Sequence, residues 1–144
     1  MFKHILLPID GSEASIRAVG KGAELAKALG ASITLMTAIE QNPAGLAGVV
    51  YRAEDNPMHQ AARDAAAHWL SQAKAIVVQH GIEPKQMVVQ ERSISKSILA
   101  AAVSTGADLI VMGSHGASAL ERLLLGSQTQ RVLAHTDIAV MVLR

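Results

Sequence analysis

The sequence contains no cysteine. Disulfides, thiolate metal sites and cysteine nucleophiles are therefore excluded. Aromatic residues make up only 2%, with one Phe, one Tyr and one Trp, although 50% of the chain is hydrophobic. The core must then be built from small and branched aliphatic side chains, which suit strands covered on both faces and closely packed helices. Neither sign of charge dominates: 13 Lys and Arg against 12 Asp and Glu leave a formal net charge of +1. Nothing in that balance draws the whole chain toward nucleic acid or an anionic membrane. No apolar run approaches the ~20 residues that span a bilayer. "MFKHILLPID" reaches Pro8 and Asp10 before a secretory apolar region is complete. The six histidines include no His-x3-His pair, so metal binding by protein side chains is not expected. These absences predict a cytoplasmic protein with no nucleic-acid or membrane partner.

What is present is an alternation. At 144 residues the chain, 1–144, makes one domain. "HILLPI" (4–9) reads as a strand buried on both faces, with Pro8 marking its end. "DGSEAS" supplies helix-start chemistry, with Ser12 as N-cap, and the helix runs to about residue 29 before Gly30. "SITLMTAI" (32–39) is a second strand, and residues 40–57 form a long connection holding Gly, Pro and Asn. A helix over 58–80 follows, then strand 86–91, a helix over 95–106 capped by Ser95, and strand 108–113. A helix over 127–135 and a last strand, 138–144, complete the chain. Strict β-α alternation with buried-type strands predicts an α/β fold: a single doubly wound five-stranded parallel sheet with helices on both faces.

In such sheets ligands bind beyond the carboxyl ends of the strands, where the strand order reverses. Two strand ends carry unusual residues. The first delivers Asp10, Gly11 and Ser12, and the fourth delivers "GSHG" (113–116). Glycine lets a backbone take positive φ and point consecutive N–H groups into one concavity, a nest for anionic oxygens. Gly126 and Ser127 then open the last helix, whose free N–H groups and dipole also favour a phosphate. There is no Gly-Lys-Ser/Thr and no GxGxxG, so this is neither a P-loop nor the dinucleotide fingerprint.

Gly113, Gly116, Gly126 and Ser127 fit the spacing Gly-x2-Gly-x9-Gly-Ser. On that spacing, on "ILLPIDGS" and on "ADLIVMGSHG", the chain resembles the universal stress protein family, in its nucleotide-binding subgroup, along essentially its whole length. The resemblance implies a five-stranded parallel sheet that binds ATP, with Mg²⁺, across the carboxyl ends of its strands. It places Asp10 near the adenosine and Thr37 along the adenine. It assigns the backbones of Gly113, Gly116, Gly126 and Ser127 to ribose and phosphates, and implies a homodimer through the C-terminal strand. Gln128 stands beside the phosphates where many members have a small apolar residue. Ala139 replaces a common proline, and "ERSISKS" lacks a glycine often seen after the third strand.

Three functions compete. The first is a regulatory ATP-binding module of the stress response, favoured by the complete glycine set. The second is a slow ATPase or a nucleotide or phosphotransferase, for which the motif itself places no Lys or Arg on the terminal phosphate. The third is a nucleotide-free interaction dimer, which the retained glycine spacing disfavours. His115 lacks a placed partner, and "GSHG" is not a nucleophile elbow, so no catalytic residue is assigned. Arg122 and Arg131 read equally as phosphate contacts or solvated helix faces, and Trp69 as a packing anchor between helix and sheet.

Overall fold

The computed structural model describes residues 1–40, 57–114 and 125–144. Period-2 apolar patterning decides the layers. In His4–Ile9 (β1), Ile5, Leu7 and Ile9 join the core on one face of the sheet and Leu6 joins the core on the other. Leu109–Gly113 (β4) repeats this, with Leu109 and Val111 on the first side and Ile110 and Met112 on the second. A strand apolar on both faces needs cover on both. Glu13–Leu29 (α1) and Pro57–Gln79 (α2) cover the first face through Val19, Ala23, Leu70, Ala73 and Val77. Ile94–Thr105 (α3) and Ser127–Ala134 (α4) cover the second through Ile98, Ala101, Ala102 and Val132.

Ser32–Glu40 (β2), Lys85–Glu91 (β3) and Ala139–Leu143 (β5) complete a sheet of order β3-β2-β1-β4-β5 in which every pairing is parallel. The expected doubly wound five-stranded sheet is present. The chain first builds outward from β1 to β3, then returns to lay β4 and β5 on β1's other side. The reversal therefore lies between β1 and β4. The ladder between these two runs over Ile5↔Leu109 and Leu6↔Ile110, whereas β1 and β2 pair from His4↔Ser32 to Ile9↔Thr37.

Two boundaries differ from expectation, each for a local reason. Pro8 sits within β1, opposite Met36, beyond the recorded ladder to β4, which therefore does not need the N–H that proline lacks. The cap of α3 is Ser93, not Ser95: its backbone is extended and its Oγ accepts from Lys96 N at 3.3 Å. The N-cap of α4 is Gly126, and Ser127 is the first helical residue. Ser12 caps α1 as expected, and Gly30 ends it at φ 65°. Among the described residues no helix is long and apolar enough to cross a membrane. Most of the 40–57 connection, residues 41–56, lies outside the described residues.

Candidate functional site

The carboxyl end of β1 turns sharply into α1. Asp10 Oδ1 accepts from Ser12 N at 2.9 Å and from Ser12 Oγ at 2.5 Å. Ser12 Oγ in turn accepts from Ser15 N at 3.1 Å, so one carboxylate oxygen braces the cap of the helix. Gly11 sits between them at φ 79°, and a Cβ there would lie 2.3 Å from the indole Nε1 of Trp69. Glycine is required at this point both for its backbone and for its lack of volume. Trp69 is the packing anchor expected of it, joined to the α1/α2 core.

The end of β4 is pressed against the same turn. A Cβ on Gly113 would stand 2.9 Å from the backbone carbon and oxygen of Ala14, in the first turn of α1. The sequence reading expected the site glycines to serve through positive φ. Gly113 has no positive φ, and Gly126 sits at φ −57°. The demand at Gly113 is close approach: only a residue without a side chain lets β4 and α1 meet where the sheet order reverses.

Beyond Gly113 the chain is held by backbone bonds. Ser114 N donates to Leu143 O at 2.7 Å, and Gly126 N donates to Ser114 O at 2.6 Å. The buried Thr129 donates its Oγ1 to Gly113 O at 3.1 Å. Gly113, Gly126 and Ser127 are thereby brought to one place, with the exposed Ser127 at the first position of α4. That helix has no side-chain cap and no acid in its first turn. Its opening N–H groups, on Ser127, Gln128 and Thr129, have no acceptor within the helix, and the dipole adds positive potential there. The arrangement suits an anion.

Thr37 is buried at the end of β2, and its Oγ1 donates to Ile9 O at 2.8 Å, one residue before Asp10. Gln128 accepts at Oε1 from Ser95 N at 3.2 Å, across the gap to α3. Sequence reasoning missed Thr129 and Ala14, because their parts depend on contacts with a residue remote in the chain. A small hydroxyl residue in the first turn after Gly126-Ser127 was the only available signal for Thr129. Arg131 lies exposed in the last turn of α4. His115, Gly116 and Arg122 lie outside the described residues.

The model of the universal stress protein family matches residues 1–144. A universal stress protein of Thermus aquaticus is 33% identical over 144 residues, covering 100% of both chains. Among solved structures, a universal stress protein in complex with cAMP superimposes at TM-score 0.76 and 22% identity, over 99% of this chain and 97% of the other. The universal stress protein from Archaeoglobus fulgidus in complex with dAMP does so at TM-score 0.71 and 18% identity, over 100% and 98%. At those identities the structural likeness establishes the shared fold.

Proposed function

The chain belongs to the universal stress protein family, and from that premise we propose that it is a regulatory module of the stress response that binds ATP, with Mg²⁺, between the carboxyl ends of β1 and β4. One observation carries the reading. The uncapped N-terminus of α4 is tied to the end of β4 beside the Asp10 turn, at the point where the strand order reverses. The two related proteins described with bound ligands hold cAMP and dAMP, which share adenine and a phosphate.

In this reading the opening N–H groups of α4, with the Ser127 hydroxyl, grip phosphate oxygens, and Gly116 extends the grip. Asp10 spends Oδ1 on Ser12 and keeps Oδ2 for the adenosine, while Thr37 closes the adenine side. Mg²⁺ belongs to the same reading, carried in on the phosphates. A homodimer through β5 belongs to the same reading. This strand forms an outer edge of the sheet, with Ala139 and Met141 exposed, and a second copy would cover it. The cytoplasm is the proposed location.

The test is to denature the purified protein, chromatograph what it releases, and titrate the emptied protein with Mg-ATP in a calorimeter. Released adenine nucleotide, or saturable heat, supports the reading. No release and no heat up to about millimolar ATP, a Kd worth only ~4 kcal/mol, overturns it in favour of a nucleotide-free interaction dimer. A time course for ADP then separates a switch from a slow ATPase.

A further inference from the structure

α4 is 8 residues long and starts at a glycine without a side-chain cap. A helix so short does not hold its own place. Among the described residues, three hydrogen bonds tie its N-terminus to other elements, beside a local one from Gln130 Nε2 to Leu125 O at 2.7 Å. Gly126 N and Thr129 Oγ1 tie it to β4, through Ser114 O and Gly113 O. The third runs sideways, from Ser95 N to Gln128 Oε1 at 3.2 Å.

This third bond has a specific meaning on α3. Ser93 caps that helix by accepting from Lys96 N, and Ser97 N bonds Ser93 O. The N–H of Ser95 falls between them, at a position with no acceptor inside its own helix. Gln128 supplies the acceptor from another helix. The donor is a backbone N–H, so the carboxamide must present oxygen to it, and its orientation is settled by chemistry. Two helix N-termini thus stand side by side, and a single side chain joins them.

We propose that Gln128 is a positioning residue for the nucleotide's phosphates: it caps α3 from α4, holding the α4 N-terminus in place. The same bond occupies a competing α3 donor, so that the phosphates meet α4. This rests on the nucleotide reading of the site. Gln128 then acts on the ligand through the helix end it fixes, and its effect is felt by phosphates and not by the adenosine.

The test compares wild type, Gln128→Met and Gln128→Glu, each titrated with Mg-ATP and with adenosine, and follows exchange of the Ser95 amide by NMR. Methionine keeps the length but cannot accept from Ser95. Faster Ser95 exchange is expected, with ATP affinity about tenfold weaker, the size of one hydrogen bond to a charged group, and adenosine affinity unchanged. Glutamate keeps the acceptor and adds a negative charge between the two helix ends. Ser95 should stay protected while ATP weakens about tenfold at low salt and recovers as salt screens the charge. If Gln128→Met does not fold, the glutamate variant decides. A wild type that binds both ligands, with the variants shifting ATP and adenosine equally or not at all, overturns this inference alone. A wild type that binds neither overturns the nucleotide reading and this inference with it.

Discussion

Gly113 is required for space. The Cβ of an alanine there would stand 2.9 Å from the backbone of Ala14, closer than real Cβ contacts come, and backbone cannot swing aside as a side-chain tip can. Gly113→Ala is therefore expected to lower stability by about 1–3 kcal/mol, read as a shift of the urea midpoint. His4 shows a different kind of constraint. Its Nδ1 lies 2.6 Å from Ser32 Oγ and its Nε2 2.8 Å from Thr34 Oγ1. Ser32 Oγ donates onward to Lys3 O at 3.2 Å, so Nδ1 carries the ring's proton and Nε2 accepts from Thr34. Burial first, then the nearby Lys85 ammonium, hold the His4 pKa below its usual value, while Asp108 pulls the other way. Asp108 is itself held below the usual carboxylate range by backbone N–H bonds from His4 and Lys3. Both groups bind protons more readily in the unfolded chain, so both contribute stability that is lost toward acid. The His4 contribution is present above about pH 6.5 and fades below it; that of Asp108 fades only below about pH 4. Chemical denaturation between pH 8 and 5 should show a fall in stability that His4→Gln removes.

At the scale of elements, α3 and α4 begin side by side and are capped in opposite ways. α3 carries its own serine cap, whereas α4 relies on neighbours. Ser93→Ala should cost about 1 kcal/mol, while Ser95→Ala should cost much less. The Ser95 side chain has only a 3.4 Å contact with Ser93 Oγ, and its bond to Gln128 uses the backbone. Thermal melts of the two variants check this directly, and equal losses would return the cap to Ser95. The cap was misplaced in the sequence because "RSISKS" offers three serines at alternate positions, all of the right chemistry. Backbone conformation chose among them: Ser93 is extended at φ −147°, ψ 154°, as an N-cap must be.

The whole molecule is a sheet with two unlike edges. β3 exposes Val88 too, but flanks it with the exposed Lys85, Gln86, Gln90 and Glu91, charged and polar groups that guard an edge against pairing. β5 carries no charge along Ala139–Leu143, and Met141 is 37% exposed. A second copy is therefore expected on β5 rather than on β3. Met141→Lys should shift the protein from dimer to monomer in sedimentation while leaving its circular dichroism unchanged. A dimer that survives this change would remove β5 from the interface.

By itself the sequence determined whatever depends on neighbours along the chain. Strand periodicity, Ser12 as a cap, Gly30 as a stop and the alternation of element types are local, and all can be read before folding. The tertiary structure alone decided what depends on residues remote from one another. The order β3-β2-β1-β4-β5 put the reversal between β1 and β4, and so set the Asp10 turn and Gly113 side by side at one end of the sheet. It made Gly113 necessary for the approach of Ala14, where sequence reasoning had looked to backbone freedom. It also turned Gln128 toward Ser95 in another helix. Propensity and capping act over a few residues, whereas excluded volume and a shared hydrogen bond act only once distant segments have met.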